Sequence, residues 1–241
     1  METTVKKAII FDFDGTLLDT MHIFDSIVRH HLQIRGVILS EQREKELLAK
    51  YLSKIADLEY GGGKQAIFRV FLQIGKACGL GRISRVIFTI TTIRGILRAY
   101  HTAKHFPDSQ KVLSLLKDRG FLLALVTMAS KNDLTKSLGD LEQYFGIIIT
   151  RNDVKQIKPD PEGLIKACQA LDVKSENCYA IGDLPLDIIA AQKAGITALA
   201  VTTGISSEEV LKKFNPSKIF SSLTEACNWI LDQEFGTRTV I

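Results

Sequence analysis

Asp12 and Asp14 stand one residue apart in AIIFDFDGTLLDT, residues 8–20, directly after an apolar run. Burying an unpaired carboxylate is costly, so acids at the end of such a run call for a chemical reason. Further along lie residues that could supply one. Thr127 and Met128 close the apolar stretch FLLALVTM, Lys158 sits in IKPDPEG, and Asp183 and Asp187 lie four residues apart in GDLPLD. If these positions converge, four carboxylates share a space with one hydroxyl and one lysine. Carboxylates so crowded repel each other unless a cation joins them. Oxygen-only ligands select a hard divalent ion, and Mg²⁺ is the usual partner where a phosphate also binds. Asp12 and Asp183 are the natural direct ligands, with Asp187 as an outer partner orienting a metal-bound water. Lys158 and Thr127 then remain to hold an anion, which describes a phosphoryl site.

Convergence needs a fold that brings these positions to one edge. Residues 5–11, VKKAIIF, predict a buried strand ending at the acid pair. From Met21 to His105 the texture is helical: 22–34, 40–60, 64–80 and 83–106 all accept a helical period, with Ser40 a candidate N-cap. Gly61, Gly62 and Gly63 break the pattern between the second and third of these segments. After Phe106-Pro107-Asp108 strand and helix alternate. Strands are predicted at 121–127, 146–150, 178–183, 196–201 and 217–220. Helices are predicted at 108–120, 131–139, 161–173, 185–195, 206–214 and 222–234, with Ser206 and Glu209 at capping-box spacing. Continuous apolar strands alternating with helices imply an α/β fold whose parallel sheet is covered on both faces. Right-handed crossovers place all strand C-termini on one edge, where ligands of open α/β sheets bind. Asp12, Thr127 and Asp183 stand at the ends of predicted strands, and Lys158 lies in the loop after another. Asp12 and Asp14, two apart, point the same way.

Composition limits the alternatives. The 241 residues suffice for a large domain, or a core plus a smaller one. A net charge of +4, from 31 basic and 27 acidic residues, does not argue for a nucleic-acid partner. The apolar stretch VIFTITTI, Val86 to Ile93, falls far short of the roughly 20 residues a membrane span needs. Cys78, Cys168, Cys178 and Cys227 show no metal-ligand spacing and predict reduced, mostly buried thiols in a cytoplasmic protein. The N-terminus enters an apolar strand at once, without the pattern of a signal peptide.

DFDGT (Asp12 to Thr16), the strand ending in Thr127, Lys158 before Pro159, and GDLPLD (Gly182 to Asp187) together resemble the four motifs of the haloacid dehalogenase-like hydrolases, in the family's order. The likeness covers the whole chain and looks closest to the phosphoglycolate phosphatase-like subgroup. It implies a Rossmann-like core, residues 1–19 and 106–241, with an inserted all-helical cap, residues 20–105. It implies that Asp12 is the nucleophile and Asp14 the acid–base. Thr127, Met128 and Lys158 would bind the phosphoryl group, and Asp12, the Asp14 carbonyl, Asp183 and Asp187 would serve Mg²⁺. The expected activity is hydrolysis of a small phosphomonoester through an aspartyl-phosphate, by a monomer or homodimer. A phosphomutase of the β-phosphoglucomutase type is the alternative, and a non-catalytic binding protein on the same fold a further one. Dehalogenation is disfavoured by Asp14, since a leaving halide needs no proton. Leu184 departs from the small polar residue the family often has there.

Other residues take blander roles. Asp19, beside Thr20, is expected to cap the first helix. Gly61 to Lys64 suit either an anion-reading nest or an inter-helix loop. Arg94, Arg98, His101 and His105 follow helical spacing and form either a solvated stripe or a pocket wall. No glutamate or third ligand accompanies His101 and His105, so a zinc site is not expected there.

Overall fold

The computed structural model describes residues 5–40, 42–43, 46–47, 50–51 and 64–236. Among them a six-stranded parallel sheet forms the centre. Its strands are β1 (Ala8–Phe11), β4 (Leu122–Val126), β5 (Ile147–Ile149), β6 (Cys178–Gly182), β7 (Thr197–Val201) and β8 (Lys218–Phe220). The spatial order is β5-β4-β1-β6-β7-β8. The chain therefore winds outward from β1 in one direction, then returns to β1's other side and winds outward again. This is a doubly wound sheet, and its order reverses between β1 and β6. Asp12 and Asp183 follow those two strands. The Asp12 amide donates to the Ile181 carbonyl at 2.9 Å, fixing their relative height.

The alternation of side chains across the pleat explains why both strand faces are apolar. Ile9 and Phe11 belong to one core cluster, with Val112, Leu116, Leu134 and Ile230; Ala8 and Ile10 belong to the other, with Leu164, Ala167, Ile188 and Leu211. The first face is covered by α4 (Ser109–Asp118), α5 (Lys131–Leu138) and α9 (Leu223–Phe235). The second is covered by α6 (Glu162–Leu171), α7 (Pro185–Lys193) and α8 (Glu208–Lys212). All four cysteines are free thiols, with Cys168, Cys178 and Cys227 buried.

Before this alternation, α1 (Met21–Gln33), α2 (Lys64–Ala77) and α3 (Arg82–Ala99) are helical, as are the described residues 42–43, 46–47 and 50–51. α1, α2 and α3 share an apolar cluster of their own, including Val28, Leu32, Phe71, Ile74 and Phe88. On α3, Phe88, Thr89 and Thr92 turn inward, while Val86, Ile87 and Ile90 of the VIFTITTI stretch stay exposed. No helix among the described residues is long and apolar enough to cross a membrane.

The helix expected over 83–106 ends at Ala99. A 3-10 turn (Tyr100–Thr102) follows, then β3 (Lys104–His105), which pairs antiparallel with β2 (Leu18–Asp19). This ribbon joins the two connections between helices and sheet. Its backbone pairing overrides the helical period of the side chains. Asp19 does serve α1, accepting the His22 amide at 3.2 Å, although Thr20 holds the N-cap position. Ser40 accepts the Arg43 amide at 3.3 Å. The last short helix begins one residue later than the expected capping box: Ser207, not Ser206, is its N-cap, and Ser206 is buried.

Candidate active site

Four strand ends meet at the switch point. Lys158, in the loop before α6, reaches back under the sheet edge and donates to Asp12 Oδ1 and to Asp187 Oδ1, each at 2.7 Å. All three are buried, as is Asp183. The loop that carries Lys158 is shaped by Glu162, whose carboxylate accepts the Lys155 and Gln156 amides at about 3 Å. Asp187 Oδ2 accepts the Leu184 amide at 3.0 Å, so Asp187 also caps α7. This contact accounts for the departure at Leu184: the position offers its backbone, and Asp187 supplies the capping oxygen. Asp183 Oδ2 accepts the Ile205 amide at 2.9 Å.

The electrostatics follow from four carboxylates facing one ammonium. Burial, opposed by Lys158 and reinforced by Asp187 and Asp14, pushes the Asp12 carboxyl up to about 7. Burial also raises Asp14, to about 6, against the Tyr100 hydroxyl and Lys158. Asp183 lies well above the usual carboxylate range, through burial and then the charges of Asp12 and Asp187. Burial alone would lower Lys158, but Asp12 and Asp187 outweigh it and hold the ammonium above its ordinary range. The cluster has more negative charge than its own lysine can balance.

The residues present fit a divalent cation. One oxygen each from Asp12, Asp183 and Asp187 lie within 4.8 Å of one another. Asp183 Oδ1 is buried without a hydrogen-bond partner, a costly arrangement that a metal would relieve. Both Asp187 oxygens are already engaged, which suits it to an outer place.

Thr127, Met128 and Lys158 line one small cavity, and Asp12, Lys158 and Asp187 another. The Thr127 hydroxyl accepts the Ala129 amide at 3.0 Å, which leaves its own hydrogen for an anion. Asp14 is half-buried and within electrostatic reach of Asp12 and Lys158. The basic stripe is divided among three elements. Arg94 and Arg98 are exposed on α3, His101 lies in the 3-10 turn, and His105 Nε2 sits 2.8 Å from the Ser137 carbonyl. Gly61, Gly62 and Gly63 lie outside the described residues, and Lys64 opens α2.

One contributing segment escaped the sequence reasoning. After β7 the chain runs Thr202-Thr203-Gly204-Ile205, and Thr203 Oγ1 donates to the Gly15 carbonyl at 2.6 Å. A Cβ on Gly204 would stand 1.8 Å from Asp183 Oδ2, and one on Gly15 2.6 Å from the same oxygen. Gly15 also has φ +75°, open to glycine at little cost. Asp183 therefore sits in a slot made by two missing side chains. The signal available was a glycine just past a strand, on the same edge as the acids.

The family model described as haloacid dehalogenase-like hydrolase matches residues 9–201. A pyrophosphatase, PpaX, from Bacillus mycoides (strain KBAB4) is 25% identical over 223 residues, covering 91% of this chain and 94% of that one. Among solved structures, a HAD family hydrolase from Deinococcus radiodurans R1, with bound phosphate and sodium, superposes with a TM-score of 0.75. It is 20% identical and covers 98% of this chain and 99% of that one. A predicted phosphoglycolate phosphatase from Haemophilus somnus 129pt gives a TM-score of 0.68 at 20% identity, over 95% of this chain and 99% of that one.

Proposed function

The chain belongs to the haloacid dehalogenase-like hydrolase family, and from that premise we propose that it is a Mg²⁺-dependent phosphatase of small phosphate compounds, working through an aspartyl-phosphate on Asp12. The observation that carries this reading is Lys158, 2.7 Å from both Asp12 and Asp187, beside an Asp183 oxygen that has no partner. That arrangement suits a group bringing both a cation and an anion into the cluster.

Asp12 attacks phosphorus while the bond to the leaving oxygen breaks, and Asp14 gives that oxygen its proton. Asp14, now ionised, takes a proton from a water. The water oxygen attacks the same phosphorus, releasing inorganic phosphate and restoring the Asp12 carboxylate. Lys158, Thr127 and the Met128 segment hold the phosphoryl oxygens throughout. Asp12, Asp183 and the Asp14 carbonyl would hold Mg²⁺, with Asp187 as the outer partner; when bound, the ion neutralises charge on the transferring group.

Residues 20–105 act in this reading as a cap over a core of residues 1–19 and 106–241. The separate apolar cluster of α1–α3 and the paired connections at β2 and β3 support that division. The preferred substrate class is a small phosphomonoester of the phosphoglycolate type. The relatives named as pyrophosphatases add inorganic pyrophosphate to the compounds to compare.

The test is a Mg²⁺-dependent phosphate-release assay across small phosphomonoesters, pyrophosphate and an aryl phosphate, run on wild type and Asp12→Asn. Turnover should fall roughly a thousandfold or more in the variant, the scale for losing a nucleophile. Wild-type rates in Asp12→Asn would overturn the assignment.

A further inference from the structure

Cys168 and Cys178 take no part in the chemistry above, yet their sulfurs stand 3.6 Å apart. Cys168 lies near the end of α6, and Cys178 opens β6. Neither backbone is free to drift. The Val173 amide donates to the Cys168 carbonyl at 3.0 Å and closes the helix, with Asp172 left-handed at φ 53°. Cys178 pairs beside Ala8 of β1, inside the sheet. Cross-linking requires that two sulfurs be brought together, and here the fold has already done so. Both side chains are buried, whereas Asp172, Lys174 and Glu176 of the short connection between them are exposed. The pair therefore lies under a surface connection at the start of the strand, at the opposite end of β6 from Asp183.

We propose that Cys168 and Cys178 are a modification site for hydroperoxides, which oxidise the pair to a reversible disulfide tying α6 to β6. Cys178 Sγ also lies 3.3 Å from the Lys174 carbonyl. Its S–H donates there while Cys168 is neutral, and to the Cys168 sulfur once that thiol ionises. A donor so placed favours the thiolate and holds the Cys168 thiol below its ordinary range. Cys168 is thus the sulfur that reacts first. Its thiolate attacks one oxygen of hydrogen peroxide, the O–O bond breaks, and with a proton taken up the products are a sulfenic acid and water. Cys178 then attacks the Cys168 sulfur. The S–O bond breaks, and the departing hydroxide leaves as water with the Cys178 proton. Two thiols and one peroxide give one disulfide and two waters, the sulfurs losing the two electrons that the peroxide gains. Bond formation draws the sulfurs from 3.6 Å to about 2 Å, a closure shared between two side chains.

The test reads thiols rather than turnover, so it stands apart from the phosphatase reading. The full chain is treated with a small excess of hydrogen peroxide near neutral pH. Its remaining thiols are alkylated in denaturant, and it is digested with trypsin without reduction. Trypsin separates residues 167–174 from 175–193. These two peptides should appear joined, two hydrogens lighter than their sum, and dithiothreitol should part them. Free thiols should fall from four to two, with Cys78 and Cys227 left. In Cys178→Ser the Cys168 sulfenic acid has no resolving partner and should run on to sulfinic acid, which dithiothreitol does not reverse. The bond closes a loop of about ten residues and restricts the unfolded chain, so the oxidised protein should melt roughly 3–8 °C above the reduced one. Thiols untouched by prolonged peroxide overturn the proposal. So does a wild-type Cys168 found as sulfinic acid, or a bond to Cys78, to Cys227 or to a second chain. An oxidised form that melts no higher than the reduced one also overturns it, because the bond then forms against the fold rather than within it.

Discussion

Asp183 has one carboxylate oxygen on the Ile205 amide and the other without a partner, in a slot between Gly15 and Gly204. Burial, then the charges of Asp12 and Asp187, raise its proton affinity above that of the unfolded chain. The sign of the consequence is fixed. In the pH window between the unfolded and the higher folded value, the folded state binds more protons than the unfolded one. Stability without metal therefore falls as pH rises through that window. Asp12, pushed up to about 7, acts in the same direction. Asp183→Asn keeps an oxygen for the Ile205 amide and puts an amide donor among the neighbouring carboxylates. Metal-free Asp183→Asn should melt above wild type at pH 7.5, by about 2–4 °C per kcal/mol of relieved repulsion. The gap should close toward pH 4, and added Mg²⁺ should raise the Tm of wild type but not of the variant. Thermal melts at the two pH values, with and without Mg²⁺, check all three. A variant no more stable than wild type at pH 7.5 would show that the cluster is not strained by its charge.

The segment after β7 shows how elements, rather than motifs, complete the site. A Cβ at Gly204 would overlap Asp183 Oδ2 at 1.8 Å. Gly204→Ala should therefore push the carboxylate out of its slot and raise the Mg²⁺ concentration needed for half-maximal activity by an order of magnitude or more, with far-UV circular dichroism unchanged. An unaltered Mg²⁺ requirement would show that the slot can adapt. The acids themselves were legible because β1 and β6 are short continuous apolar runs, and whatever follows such a strand must stand at the sheet edge. Gly204 was not legible, because its role depends on a neighbour 21 positions earlier that it never pairs with in sequence. The end of α3 was misread for a related reason. Residues through 106 keep a helical period, yet Lys104 and His105 are drawn into pairing with Leu18 and Asp19 across the chain, a contact that periodicity cannot register. Ser206 matched a capping-box spacing but is buried, and the exposed Ser207 holds the cap position one residue later.

At the scale of the molecule, Ile205 is where sheet and helices meet beside Asp183. Its amide donates to Asp183 Oδ2, while its side chain packs against the apolar cluster of α1–α3. One residue thus carries a polar task through its backbone and an apolar task through its side chain, and substitution separates the two. Ile205→Ala retains the amide and leaves Asp183 undisturbed. It removes a half-buried side chain from the contact with the helices, which costs on the order of 1 kcal/mol of apolar burial. If α1–α3 close over substrate as a cap, that loss falls on the closed arrangement alone. The closed population, and with it apparent substrate affinity, should drop about fivefold, since 1.4 kcal/mol corresponds to tenfold. The Mg²⁺ requirement should stay at the wild-type value. Steady-state kinetics on one phosphate ester, with Mg²⁺ and substrate varied independently, tell this apart from the neighbouring Gly204→Ala, in which the Mg²⁺ requirement moves first. A raised KM at constant Mg²⁺ dependence in Ile205→Ala places the helices over the bound substrate. An unchanged KM would mean that they pack on the sheet without taking part in binding.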